Sequence, residues 1–128
     1  MNTKKILIID DDPDITRSFQ VTLEGAEYEV HTANNITDGL EKLKTVLPDL
    51  LILDVMMEST FEGHSFAIRI KKDPEFISMP ILVITGIVNQ LGMEFKDAFD
   101  DHTTMPLVFY LDKPVESEEL LTRVKKLT

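Results

Sequence analysis

Four times along this chain a short, largely apolar run stops at a polar residue. Ile6-Leu7-Ile8-Ile9 stops at Asp10, Leu50-Leu51-Ile52-Leu53 at Asp54, and Ile81-Leu82-Val83-Ile84 at Thr85. The last run, Leu107 to Leu111, stops at Asp112-Lys113-Pro114. Continuous apolar runs of this length suit strands buried on both faces, the pattern of a parallel sheet covered on each side. Between the runs the apolar spacing turns helical. Ile15, Phe19 and Leu23 are followed by a stop at Gly25. Ile36, Leu40, Leu43 and Leu47 are followed by Pro48. After a loop at residues 56–63, Phe66 and Ile70 mark a third helix. Leu91, Phe95, Ala98 and Phe99 mark a fourth, and Leu120, Leu121, Val124 and Leu127 a last one. Tyr28, Val30 and Thr32 alternate as a weaker edge strand.

Five strand–helix repeats predict a doubly wound, five-stranded parallel α/β sheet with helices on both faces, the flavodoxin-like class. At 128 residues the chain reads as one domain, 1–128, with no effector domain. Open α/β sheets bind ligands beyond the C-terminal ends of their strands. Asp10, Asp11, Asp54, Thr85 and Lys113 all fall there. Strand order decides whether they meet. In the order 3-2-1-4-5 the first and third strands are separated, and Asp10 and Asp54 stand roughly 10 Å apart. In the order 2-1-3-4-5 those strands are neighbours, about 4.8 Å apart, so the carboxylates can share one ion. The shared site selects the second order.

Charge narrows the partners. The chain carries 23 acidic against 13 basic residues, a formal net charge of −10. Nucleic-acid affinity depends on cations that neutralise phosphates, so direct binding to DNA, RNA or anionic lipid is not expected. A metal cation or a basic patch on a protein partner fits better. The absence of cysteine removes disulfides, thiolate metal sites and cysteine nucleophiles. No apolar run approaches the roughly 20 residues that span a bilayer. A cytoplasmic location is expected.

Three carboxylates brought within a few ångströms repel unless a cation joins them. Mg²⁺ is hard, takes oxygen ligands and usually keeps several waters, which suits this set. A carboxylate nucleophile at Asp54, a metal, a fixed charge at Lys113 and a hydroxyl at Thr85 are the parts that phosphoryl transfer requires.

At this point the residues resemble a family. Ile-Leu-Ile-Ile-Asp10-Asp11-Asp12-Pro-Asp, Leu51-Ile-Leu-Asp54-Val-Met-Met, Pro80-Ile-Leu-Val-Ile-Thr85-Gly86 and Tyr110-Leu-Asp-Lys113-Pro114 are similar to the four motifs of bacterial response-regulator receiver domains. The order 2-1-3-4-5 is also that family's, so topology and resemblance are not independent. The resemblance implies that Asp54 accepts phosphate from a histidine kinase or a histidine phosphotransfer protein. It implies that Asp10 and Asp11 bind Mg²⁺ together with Asp54 and the backbone carbonyl of Met56. Thr85 and Tyr110 then serve as switch residues, and a downstream protein target reads the phosphorylated surface. Turnover of a free substrate is not implied.

The chain departs from the pattern at two places. Glu58 stands where the family has proline, and Gly63 falls one position late. Thr85 and Lys113 are separated by several more positions than is usual, and Asp101-His-Thr-Thr-Met-Pro106 replaces the common Gly-Ala.

The same residues admit rival readings. Asp10, Asp12 and Asp14 match the first ligands of an EF-hand loop, but Ile15 occupies the glycine position, which excludes it. A haloacid-dehalogenase-type phosphatase would use Asp10 as nucleophile, but the acidic pair that follows the lysine in that family is missing. A module of the same fold that signals without phosphate is the nearer alternative. Taken singly, each residue also has a bland role: Asp54 as a turn or cap residue, Thr85 as a strand end, Lys113 as a solvated lysine, and Tyr110 as core. His31, His64 and His102 have no ligand spacing.

Overall fold

The structure is a computed structural model and describes residues 3–54, 60–85, 108–112 and 115–128. The described elements are β1 (Lys5–Ile9), α1 (Pro13–Gly25), β2 (Glu29–Ala33), α2 (Ile36–Val46), β3 (Leu50–Asp54), α3 (Thr60–Lys71), β4 (Ile81–Thr85), β5 (Val108–Asp112) and α4 (Ser117–Leu127). The strands form one five-stranded sheet in the order β2-β1-β3-β4-β5, and every pairing in it is parallel. This is the expected order. The helix expected around Leu91 to Phe99 lies outside the described residues.

The apolar runs are strands because both of their faces find a helix layer. Leu7, Ile9, Leu51, Leu53, Ile81 and Val83 point to one side, into a core shared with Leu43 of α2 and Phe66, Ala67 and Ile70 of α3. Ile6, Ile8, Leu50, Ile52, Leu82 and Ile84 point to the other side, against Phe19 and Leu23 of α1 and Leu120 and Val124 of α4. The alternation is the two-residue period of a pleated strand. Each fully buried Leu or Ile contributes ~1.5–3 kcal/mol relative to leaving it exposed. The three central strands therefore dominate the stability of the fold.

Two boundaries differ from the expectation. Helix α3 begins at Thr60, inside the stretch 56–63 that the sequence pattern assigns to a loop. Gly63 falls inside the helix, and a glycine there costs only about 1 kcal/mol against alanine, less than the packing of Phe66 and Ile70 returns. Leu47, counted with the apolar face of α2, is not core. It caps the helix in the left-handed region, with φ 53°, and is 53% exposed. Pro48 is the reason: the residue before a proline is kept out of the right-handed helical region.

The connection from α3 to β4 is held by a charged group. Lys71 is buried, only 4% exposed, and its Nζ donates to the carbonyls of Phe76 and Ile77, each at 3.3 Å, and to that of Met79. Burial pulls the ammonium pKa down from the usual 10.5 to about 8.

Candidate functional site

The β1–β3 register positions the site. Ile9 is the Cα partner of Leu53, so the next residues, Asp10 and Asp54, leave neighbouring parallel strands at one level. Asp10 adds one rung beyond β1, since its N–H donates to the Ala33 carbonyl of the β2 side at 3.1 Å. Asp54 is the last residue of β3. Both carboxylates are buried, at 2% and 3% exposure, whereas Asp11 is exposed. One carboxylate oxygen from each of Asp10, Asp11 and Asp54 lies within 4.8 Å of the others.

The loop carrying Asp10 and Asp11 is tied down by its own polar groups. The Asp12 N–H donates to Asp10 Oδ1 at 3.0 Å. The Asp12 side chain caps α1, accepting from Asp14 N at 2.9 Å and Ile15 N at 3.4 Å. Pro13 follows as the first helical residue, where its lack of an N–H costs nothing. The Asp12-Pro13 pair is a helix-start signal that a sequence search for caps would find. A reading that treats Asp12 only as part of an acidic run misses it.

Three carboxylates at this separation set the electrostatics. Two unit charges 4.8 Å apart repel by about 3 kcal/mol at an effective dielectric near 20, a repulsion that nearby positive charge would relieve. A hard divalent cation with oxygen ligands fits this donor set, and Asp10, Asp11 and Asp54 are the residues that could hold it.

The structure brings together three of the expected site residues and places others only in part. Thr85 closes β4, one position beyond Ile84, the partner of Asp54. It pairs with Asp112 of β5, the residue before Lys113. Tyr110 lies on β5 opposite Val83. Of Thr85 and Tyr110 the backbone alone is described. Met56, Lys113, Glu58 and Gly86 lie outside the described residues. His31 is engaged by the Glu29 carboxylate at 2.7 Å on the outer strand, away from the acidic group.

Among the described residues no helix is long and apolar enough to cross a membrane. The chain is 34% identical over 125 residues to the DNA-binding dual master transcriptional regulator RpaA of Synechocystis, a match covering 96% of this chain and 48% of RpaA. It is 29% identical over 124 residues to protein PilG of Pseudomonas aeruginosa, covering 94% of this chain and 84% of PilG. The chain thus spans about half the length of RpaA and most of PilG. Its backbone superposes on that of the chemotaxis response regulator CheY4 of Vibrio cholerae with a TM-score of 0.80, at 26% identity, over 99% of this chain and 100% of that one. The model of the response regulator receiver domain matches residues 6–125. The level pair of strand-end aspartates is therefore found in a chain that belongs to the response regulator receiver domain family.

Proposed function

We propose that this chain is a phosphoacceptor switch of a two-component phosphorelay. An Asp54 carboxylate oxygen attacks the phosphorus of a phosphohistidine on a histidine kinase or histidine phosphotransfer protein. The new O–P bond forms as the P–N bond breaks, and the imidazole leaves with its electron pair. Asp10, Asp11 and Asp54 would hold Mg²⁺, with the Met56 carbonyl as a further ligand. When bound there, Mg²⁺ supplies positive charge against the phosphoryl oxygens. Lys113 contributes a fixed positive charge and Thr85 a hydroxyl, and Tyr110 turns with Thr85 to alter the surface that a protein target reads. The observation that carries this reading is the burial of Asp54 level with Asp10 on the neighbouring strand, with Asp11 within reach.

The chemistry is one transfer onto the chain itself, not turnover of a free substrate. The added phosphate brings roughly −1.5 to −2 charge to one point and biases a two-state surface. RpaA is named as DNA-binding, and this chain spans 48% of it. With a net charge of −10 the present chain is poorly suited to phosphate contacts of its own. We place the reaction in the cytoplasm, in line with a sequence free of cysteine.

The test is incubation with Mg²⁺ and a small phosphodonor, followed by intact-mass analysis. Wild type gains one phosphoryl group and Asp54→Ala gains none. An unlabelled wild type would favour the phosphate-independent module. Label that persists in Asp54→Ala and vanishes in Asp10→Ala would favour the phosphatase reading.

A further inference from the structure

We propose that Asp12 and Thr16 are positioning residues that preset the orientation of the Asp10 carboxylate before any cation arrives. The inference rests on the phosphoacceptor reading in one respect, that Asp10 and Asp11 contribute to a divalent-cation site. Asp12 works in two directions. Its main-chain N–H holds Asp10 Oδ1 at 3.0 Å, and its side chain takes the first free amides of α1. Thr16, one turn into the helix, reaches back. Its hydroxyl donates to the Asp12 carbonyl at 2.9 Å and lies 3.4 Å from the Asp10 carbonyl. The single hydroxyl hydrogen serves the nearer oxygen first.

The result is a closed circuit of Asp10, Asp12 and Thr16 anchored on a helix whose Phe19 and Leu23 are buried in the core. The Asp10 carboxylate cannot rotate without giving up the Asp12 amide, and that amide cannot move without uncapping α1. Mg²⁺ demands near-ideal octahedral geometry, so a carboxylate held in advance binds it better than a mobile one. Groups that orient metal ligands typically change affinity by roughly 10- to 100-fold when removed.

Charge is the competing explanation, because Asp12 also adds one negative charge near the site. A unit charge ~7 Å from a divalent cation in water changes its affinity by about sevenfold. The two effects separate by substitution. Asp12→Asn and Asp12→Ala remove the same charge, but asparagine caps a helix about as well as aspartate and alanine does not.

The experiment is Mg²⁺ titration of the full chain by calorimetry, with backbone amide NMR shifts as a second readout, at a temperature where every variant is folded. Asp12→Asn should bind within about tenfold of wild type, and Asp12→Ala about tenfold or more weaker than Asp12→Asn. Thr16→Val should weaken binding, and Thr16→Ser should restore it. A merely structural role would lower the melting temperature of Asp12→Ala and leave its Mg²⁺ affinity equal to that of Asp12→Asn, which overturns the proposal. The Thr16 pair decides the matter should Asp12→Ala fail to fold. A wild type that binds no Mg²⁺ defeats both this inference and the phosphoacceptor reading. A wild type that binds Mg²⁺ and takes phosphate, with all four variants unchanged, defeats only the inference.

Discussion

Asp10 and Asp54 stand level on adjacent parallel strands, one residue past the Ile9–Leu53 pair, and both are buried. Burying two carboxylates beside a third makes the folded state sensitive to whatever positive charge joins them. A ligand that binds only the folded chain stabilises it by mass action, about 1.4 kcal/mol at ten times its dissociation constant. Mg²⁺ at that excess should raise the melting temperature of wild type by several degrees. In Asp54→Asn the rise should largely disappear, and Ca²⁺-free thermal melts with and without Mg²⁺ check it.

Gly39 of α2 lies so close to β1 that a Cβ there would stand 2.4 Å from Ile9 Cδ1 and 2.9 Å from Ile9 Cγ1. Ile9 is fully buried. Overpacking a filled core costs about 1–3 kcal/mol, against which alanine's better helix propensity returns about 1. Gly39→Ala should therefore destabilise by up to about 2 kcal/mol. Ile9→Val removes the clashing methyl, so the double variant should be more stable than the two single effects added. Urea unfolding of the four proteins gives the cycle.

Lys71 sets a pH dependence of stability. Its folded pKa is about 8 and its ordinary value 10.5. Between those values the unfolded chain holds more protons than the folded one, so stability must rise with pH. The cost of burying the ammonium is full below about pH 8 and is relieved as pH climbs toward 10.5. The gain is roughly 1–3 kcal/mol, with the carbonyls of Phe76, Ile77 and Met79 holding it toward the lower end. Denaturant unfolding between pH 7.5 and 10 should show wild type gaining on Lys71→Met through this window; parallel curves would refute it.

Leu47 holds a left-handed conformation, with φ 53°, that suits glycine. It is also half exposed and contributes little packing. A leucine there costs about 1–2 kcal/mol, while glycine restores part of that cost through a floppier unfolded chain. Leu47→Gly should thus be neutral to about 1 kcal/mol more stable, with an unchanged denaturant slope. A clear loss would mean that Leu47 covers more of the core than its exposure indicates.

The apolar runs ending in Asp10, Asp54 and Thr85 determine the fold class on their own. Short runs apolar at every position, rich in β-branched residues, suit strands covered on both sides, and helical spacing between runs supplies the covers. Periodicity is local, so it was legible, and so was the gathering of Asp10, Asp11 and Asp54 at one edge of the sheet. The 2-1-3-4-5 order could be read because the site required Asp10 and Asp54 to be neighbours. What the sequence could not determine depends on distant partners. That α3 includes Thr60 to Gly63 and that Leu47 is exposed were settled by packing and by Pro48, against the expected loop and leucine's usual place in a core. The burial of Lys71 depends on three carbonyls arriving from a later turn, and without them a lysine reads as solvated. The Asp10–Asp12–Thr16 circuit exists only once α1 is docked by Phe19 and Leu23. A residue's own chemistry names what it could do, and only the tertiary fold decides how tightly it is held in place to do it.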